Sequence, residues 1–350
     1  MLTDHLFRHE SGKMVAVLTR IFGLTNISTA EDIVQDAFAQ ALKEWSFKIP
    51  PNPSAWLMMT AKNKAIDVLR RERLKQNYEQ EAAYELSSQY FSIPIIENLF
   101  MQNEIRDSQL RMIFACCHPA LSEPDQIAFT LKICSGFSIE EIAGALLLNT
   151  DTVKKRIQRA RKLITDKSIK FDIPAGAELK RRLDIVLHSI YLLFNEGYNS
   201  GNKDNLIRKD LCEEAIRLAI MLTENKYIAQ PKCYALLSLM CMLAARFDSR
   251  LSPEGEIILL AEQDRSIWSK ELIDIGLDYL NRSSAGDEIT DYHIEAAIAA
   301  EHCIAPKFSD TNWKRILVLY DMLKNVNASP VVLLNRAIVI GKIDGAKKAL

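Results

Sequence analysis

The segment FSIEEIAGALLLNTDTVKKRIQRARKLI, residues 137–164, contains two helical patterns joined by a short turn. The turn ends at Asn149, a residue type that favours the first position of a helix. Apolar side chains then recur at helical spacing and predict a buried stripe of Val153, Ile157, Ala160 and Ile164. Basic and amide side chains cluster on the opposite face, with Arg156 and Arg159 at its flanks: Lys154, Lys155, Gln158, Arg161 and Lys162. This layout is typical of a helix-turn-helix, whose second helix enters the major groove of DNA.

The composition of the whole chain predicts an all-α fold. Of the 350 residues, 48% are hydrophobic and 25% are charged, which excludes a disordered or fibrous protein. Only 12 glycines and 11 prolines interrupt the chain, and this scarcity favours helices over turn-rich β-sandwiches. The formal net charge is −1, but residues 1–182 carry 25 basic and 22 acidic side chains, against 19 and 23 in the remainder. A local basic surface is therefore compatible with a nearly neutral total.

Two further helices are predicted upstream. Residues 30–45, AEDIVQDAFAQALKEW, place Val34, Phe38, Ala41 and Trp45 on one helical stripe. The second helix begins after Asn52, has Pro53 at its first position and continues through WLMMTAKNKAIDVLRRERL. One side of it is apolar, with Met58, Ala61, Ala65, Val68 and Leu69. The other side carries polar groups at steps of three and four residues, namely Thr60, Asn63, Lys64, Asp67, Arg70 and Arg71.

The chain divides into four predicted segments. Residues 1–75 hold the upstream helices, 76–106 form an acidic linker, and 107–170 form a second helical domain that contains the helix-turn-helix. Residues 171–350 read as seven successive helical patterns, at 178–194, 208–223, 231–247, 266–281, 290–304, 311–324 and 330–340. Such a series predicts a solenoid of helical hairpins, similar to tetratricopeptide repeats.

The order of these elements resembles an extracytoplasmic-function (ECF) sigma factor, the promoter-recognition subunit of bacterial RNA polymerase. AEDIVQDAF resembles the region 2 helix that binds core polymerase, and NPSAWLMMTAKNKAIDVLRRERL resembles the region 2 segment that opens and reads the −10 element. Residues 137–164 resemble the region 4 helix-turn-helix that reads the −35 element. The resemblance covers about residues 7–75 and 107–166. The remainder, including IYLLFNEGYNSG, is similar to the tetratricopeptide-like extension of one ECF group.

The resemblance implies a role for individual residues. At the −35 element it places base contacts at Lys154, Lys155, Gln158 and Arg159, and phosphate contacts at Thr152, Arg156, Arg161 and Lys162. At the −10 element it places Phe47 and Asn63 in the pocket for an extruded base, alongside Thr60, Lys64, Arg70 and Arg71. The surface that binds core polymerase comprises Asp32, Gln35, Asp36 and Phe38, of which Phe38 is expected to pack inward and shape the surface. The partners implied are core RNA polymerase, promoter DNA, and a regulatory protein or ligand at the C-terminal domain.

Two other functions fit parts of the sequence. A free-standing helix-turn-helix regulator with a helical-repeat sensor would bind duplex DNA without polymerase, but it leaves the region 2-like segment unexplained. A helical-repeat scaffold with an incidental basic helix would not bind DNA at all. No nucleophile elbow, glycine-rich phosphate loop or zinc motif occurs, so we expect no enzymatic activity, cofactor or metal.

Smaller features of the sequence leave alternatives open. Cys116, Cys117 and His118 could ligate a metal or sense oxidation, but a buried helix end is favoured because no second cysteine pair accompanies them. The polar clusters 195–198 and 262–265 either hold helices together or line a groove for a ligand or partner. Seven dispersed cysteines, no apolar run of membrane-spanning length and no signal peptide together predict a cytoplasmic protein with reduced thiols and no membrane partner.

Overall fold

The computed structural model describes residues 2–79, 93–199, 206–253 and 255–345. These ranges contain fifteen α-helices and a single antiparallel bridge, Leu251 to Ile257, so the predicted all-α fold is confirmed. The helices are α1 (Leu2–Phe22), α2 (Ile27–Glu44), α3 (Pro53–Glu79), α4 (Ile93–Leu99), α5 (Gln102–Cys116), α6 (Glu123–Ile133), α7 (Ile139–Ala145), α8 (Thr150–Asp166), α9 (Gly176–Tyr198), α10 (Lys209–Glu224), α11 (Pro231–Ala244), α12 (Lys270–Ser283), α13 (Asp291–Ile304), α14 (Trp313–Val326) and α15 (Pro330–Asp344). Within the described ranges, no helix is both long enough and apolar enough to span a membrane.

The chain forms two compact units, residues 1–189 and 190–350. The first unit extends beyond residue 170, because side chains of α9 bond to it. Arg182 Nη2 donates a hydrogen bond to the carbonyl oxygen of Phe114 at 2.7 Å, and Ser189 Oγ donates to Gln126 Oε1 at 3.2 Å. Arg182 is buried, so its hydrogen bond to α5 contributes more than a surface contact would.

The predicted acidic linker, 76–106, lies only partly in the described ranges, since residues 80–92 fall outside them. Its first residues complete α3, and its later residues form α4 and the first turn of α5. Ile96 and Leu99 of α4 are buried. The C-terminal part of this segment is therefore folded against the first unit.

Helix α2 buries the apolar stripe that the sequence predicted, and on the predicted apolar side of α3, Ala61 and Ala65 are buried while Met58, Val68 and Leu69 are half-buried. Val34, Phe38, Ala41 and Trp45 are all buried along α2 and at its end. Helix α3 begins at an N-cap, since Asn52 Oδ1 accepts a hydrogen bond from the amide of Ala55 at 3.0 Å. The rings of Trp45 and Trp56 meet edge to face with centroids 5.4 Å apart, which fixes α3 against the end of α2.

Helices α5 to α8 form a second packed group, which contacts α1. Phe114 of α5 and Phe129 of α6 are fully buried in its core. At Gly12 of α1, an added Cβ would lie 2.0 Å from the carbonyl oxygen of Cys134, at the end of α6. A side chain at residue 12 would therefore force these two helices apart.

The second unit consists of successive helical hairpins. Helix α11 packs against α10, α12 and α13, and it is apolar on nearly every side because it lies among them. Helices α13, α14 and α15 share another core, which includes Ile298, Ile316, Leu323, Val332 and Val339. The seven predicted helical patterns correspond to helices α9 to α15.

Candidate nucleic-acid interface

Helices α7 and α8 form the predicted helix-turn-helix. Ser138 and Glu141 make a reciprocal capping box at the start of α7, and Asn149 Oδ1 accepts a hydrogen bond from the amide of Thr152 at 2.7 Å to begin α8. Between the helices, Leu147 adopts a left-handed conformation with φ of 51°, which turns the chain sharply. Both helix starts are therefore held by hydrogen bonds rather than by packing alone.

One face of α8 is buried and the other is free. Val153, Ile157, Ala160 and Ile164 all lie in the core, as predicted. The exposed face carries four of the predicted DNA contacts, Lys154, Lys155, Gln158 and Lys162. The described contacts of these four side chains amount to one weak ion pair, Lys154 Nζ to Asp151 Oδ1 at 4.0 Å. Three cations and an amide are thus available to an external ligand.

Arg159 is exposed, but it is held by a second residue of the same domain. Its Nε and Nη2 atoms donate to the two carboxylate oxygens of Asp125 at 3.2 and 2.7 Å. The Asp125 side chain is 4% exposed, so the guanidinium neutralises a buried charge. The sequence analysis missed Asp125, because 34 residues separate the pair and no local pattern connects them.

Arg161 lies away from the free face. It forms an ion pair with Glu31, at the start of α2, and the carboxylate is 12% exposed. Burial raises the pKa of Glu31, while the nearby cations Arg161 and Lys132 lower it. The other two predicted phosphate contacts, Thr152 and Arg156, are half-buried at the edges of the exposed face.

The predicted −10 residues lie on α3 and in the loop before it. Phe47 follows α2 and is 93% exposed, which is unusual for a phenylalanine and leaves its ring free to stack. On α3, Asn63, Arg70 and Arg71 are exposed, while Thr60 and Lys64 are half-buried. Arg70 is close to Asp67, with Nη1 3.7 Å from Oδ1.

The predicted polymerase surface on α2 separates into two kinds of residue. Asp32, Gln35 and Asp36 are exposed side by side on one face. Phe38 is 6% exposed and packs in the core, so it supports this face from behind. A test of the surface therefore requires the exposed residues, because a polar residue at Phe38 would disturb the fold.

Comparison with known proteins places these two regions in a family. The chain matches the models for sigma-70 region 2 at residues 6–75 and sigma-70 region 4 at residues 111–164. It is 33% identical over 142 residues to the ECF RNA polymerase sigma-E factor of Escherichia coli strain K12, which covers 39% of this chain and 72% of that protein. The chain is a member of the ECF sigma factor family.

Other relatives extend the comparison along this sigma factor. The ECF RNA polymerase sigma-E factor of Haemophilus influenzae is 29% identical over 161 residues, covering 44% of this chain and 81% of the relative. An uncharacterized protein of Rhizobium meliloti, R00370, is 34% identical over 338 residues, covering 93% of this chain and 76% of the relative. Residues 182–284 match a family of unknown function, DUF6596. No solved structure matches the chain.

The cysteine and histidine group of the sigma factor is packed inside the region 4 domain. Cys116 and Cys117 are buried, and burial raises the pKa of Cys117 to about 11, so this thiol stays protonated at neutral pH. Cys116 Sγ lies 3.8 Å from Cys134 Sγ, and both thiols are free. Among the described residues, no group of three histidines, cysteines or carboxylates is arranged to hold a metal.

The polar cluster at 262–265 holds the second unit together. Arg265 Nη1 donates to the carbonyl oxygen of Ala305 at 2.7 Å and also to that of His302, so it caps the C-terminal end of α13. Gln263 Nε2 donates a hydrogen bond to the carbonyl oxygen of Ile258 at 2.9 Å and so stabilises the loop between these two residues. In the other cluster, the carbonyl oxygen of Tyr198 accepts a hydrogen bond from Arg250 at 2.6 Å. These hydrogen bonds join segments of the second unit and stabilise its packing.

Proposed function

We propose that this ECF sigma factor binds core polymerase through Asp32, Gln35 and Asp36, and reads promoter DNA through α3 and α8. The observation that carries the DNA-binding part is the free face of α8, where Lys154, Lys155, Gln158 and Lys162 stand opposite a buried stripe. Cations there bind phosphates, and the Gln158 amide can pair with a base edge. A partner in bacterial transcription implies a cytoplasmic location.

The region 2 residues supply the opening of the promoter. Exposed Phe47 and Asn63 offer the aromatic ring and amide that an extruded base requires, and Arg70 and Arg71 offer cations for the single-stranded backbone. A free-standing duplex-binding regulator would need neither group. We therefore prefer the polymerase subunit to that alternative.

We further propose that the second unit regulates initiation. It is a separate compact unit with its own core, and it contributes none of the proposed DNA or polymerase contacts. A regulatory protein or a ligand that binds this unit would act on the sigma regions of the same chain.

The proposed function is tested by reconstituting the full-length protein with sigma-free bacterial core polymerase. We expect stoichiometric co-elution in size-exclusion chromatography, and promoter-dependent transcription from genomic fragments. The double variant Asp32→Arg/Asp36→Arg should lose co-elution while its melting temperature stays unchanged, because both side chains are exposed.

The matched control is Asp274→Arg, a charge reversal at an exposed position of α12. It should co-elute like the wild type. Co-elution of the α2 double variant at wild-type stoichiometry would contradict the proposed surface, whereas no binding by any form would contradict the sigma activity itself.

A further inference from the structure

Glu295, on α13, is a mostly buried carboxylate whose charge is not balanced. Within the part of the chain that the structure describes, its one hydrogen-bond partner is Tyr191 on α9, with Tyr191 Oη 3.0 Å from Glu295 Oε2. Across the described ranges, no lysine, arginine or histidine lies within ion-pair distance of it. The pKa of Glu295 is raised to about 7, chiefly by burial and to a smaller extent by the nearby Asp291, while the hydrogen bond from Tyr191 opposes this shift. A buried carboxylate in such surroundings favours either a proton or a bound cation.

A second acid on the same helix shows the usual arrangement. The Glu301 side chain is 13% exposed, and its Oε1 lies 2.8 Å from Nε of Arg315 on α14. On α13, Glu301 is thus paired with a cation, whereas Glu295 is not. The lack of a cation beside Glu295 therefore arises from the residues around that position and is not shared by Glu301 on the same helix.

Besides the acidic Asp291, the neighbours of Glu295 include aromatic and amide side chains from four helices. The Tyr191 and Tyr292 rings lie 5.5 Å apart between centroids and are inclined at 57°. The pKa of Tyr320, on α14, is raised mainly by burial and also by the nearby negative charge of Glu295. Asn195 on α9 and Asn335 on α15 add amide groups, which hydrogen-bond to Tyr191 and Tyr320 respectively.

We propose that Tyr191, Glu295 and Tyr320 form a binding site for a guanidinium or ammonium group, carried by an arginine or lysine side chain or by a free amine. The carboxylate supplies the counter-charge, and the tyrosine rings supply faces on which a cation is attracted by the π-electrons. The amides of Asn195 and Asn335 orient the two tyrosine hydroxyls. This site lies in the second unit and does not depend on the DNA or polymerase contacts proposed above.

The test uses the full-length protein and three probes in isothermal titration calorimetry at pH 8. Agmatine represents a free amine, N-acetylarginine amide represents an arginine side chain, and N-acetylcitrulline amide is its neutral analogue. Concentrations should reach about 20 mM, because one ion pair with ring contacts gives roughly millimolar affinity. We expect at least one cationic probe to bind and the citrulline analogue not to bind. Binding by agmatine alone would identify a free amine, and binding by the amide would identify a polypeptide side chain.

Two variants of α13 decide whether the binding belongs to this site. Glu295→Gln should weaken the cationic probe at least tenfold and raise the melting temperature at pH 8, because it removes an unbalanced buried charge. Glu301→Gln should leave probe binding unchanged and lower the melting temperature, because it leaves Arg315 without its partner. Tyr320→Leu should also weaken binding, through loss of a ring.

The proposal is overturned by either of two results. One is equal probe affinity in the wild type and in a folded Glu295→Gln variant. The other is that neither cationic probe binds the folded wild type up to the highest concentration.

Discussion

Arg161, on the basic helix α8, forms an ion pair with Glu31, at the start of the helix proposed to bind polymerase. The pair joins region 4 to region 2 within one compact unit. Because α3 and α8 are proposed to read two separate promoter elements, we infer that this ion pair breaks when the sigma factor binds a promoter.

Gly12→Ala should favour the separated arrangement of the two sigma regions. An alanine Cβ would lie 2.0 Å from the Cys134 carbonyl oxygen, so α1 and α6 must part, while alanine suits the interior of α1 itself. We expect a larger radius of gyration by small-angle X-ray scattering and faster association with core polymerase. Gly144→Ala is the control, because nothing lies within 4 Å of a Cβ at that position. An unchanged radius in the Gly12 variant would contradict the prediction.

Arg161→Ala and Lys162→Ala should have different effects although the residues are adjacent. Loss of Arg161 leaves the mostly buried Glu31 unpaired, and we expect the free energy of unfolding to fall by about 1–2 kcal/mol. Loss of exposed Lys162 should leave stability unchanged and flatten the salt dependence of promoter binding by about one unit of slope. Urea denaturation and promoter-binding titrations of the holoenzyme at several salt concentrations measure these two quantities. Equal stability losses would show that Glu31 does not need Arg161.

Gln158→Ala should relax the sequence preference at the −35 element. The Gln158 side chain is exposed on the free face of α8, and a lost base contact should cost about 1–3 kcal/mol on the preferred promoter. Competition between the preferred −35 sequence and single-base variants, measured with the holoenzyme, reports this loss. Arg159→Ala is a poorer test, because it also leaves the buried Asp125 carboxylate without its partner. A Gln158→Ala protein that discriminates as well as the wild type would exclude a base contact there.

His302 should make the second unit less stable in acid. Burial, with the guanidinium groups of Arg246 and Arg265, lowers the pKa of His302 from 6.5 to about 4. Between these pH values the unfolded chain binds a proton that the folded chain does not, so the free energy of unfolding decreases as pH falls. From pH 7 to pH 5 this residue should account for a loss of about 2 kcal/mol.

The variant His302→Gln tests that contribution. Its loss of stability between pH 7 and pH 5 should be about 2 kcal/mol smaller than that of the wild type, measured by urea denaturation followed in the second unit. His188→Gln serves as the control, since its side chain is 44% exposed. A wild-type pH dependence in the folded His302 variant would mean that other groups cause the acid sensitivity.

The residue at which the chain is truncated should determine whether the sigma regions remain stable. A 1–180 fragment lacks Arg182 and Ser189, which bond to Phe114 and Gln126 of the first unit, whereas a 1–198 fragment keeps all of α9. We expect the shorter fragment to melt at a lower temperature by differential scanning calorimetry. If both fragments melt alike, α9 does not stabilise the first unit.

Local sequence patterns predicted the helices because the start of a helix and its buried face are both determined by residues close together in the sequence. The capping group at Asn149, the start of α3 at Asn52 and the buried stripe on α8 all follow from residues within one or two helical turns. The same spacing predicted the free face that carries Lys154 and Gln158. The resemblance to a sigma factor also rests on such continuous segments.

Partners of individual charged residues could not be predicted in this way. A helical pattern gives the face on which Arg159 or Arg161 lies, but it cannot show that Asp125 or Glu31 meets it from 34 or 130 residues away. The unbalanced charge of Glu295 is likewise defined by helices far apart in the chain.

The sequence by itself thus determined the all-α class, the helix-turn-helix and the sigma regions, since these follow from periodicity and capping over short distances. Only the tertiary structure decided which cations are free for DNA, which are paired with buried acids, and which carboxylate lacks a counter-charge. Ion pairing depends on atoms a few ångströms apart in space, and the packing of distant helices sets those distances.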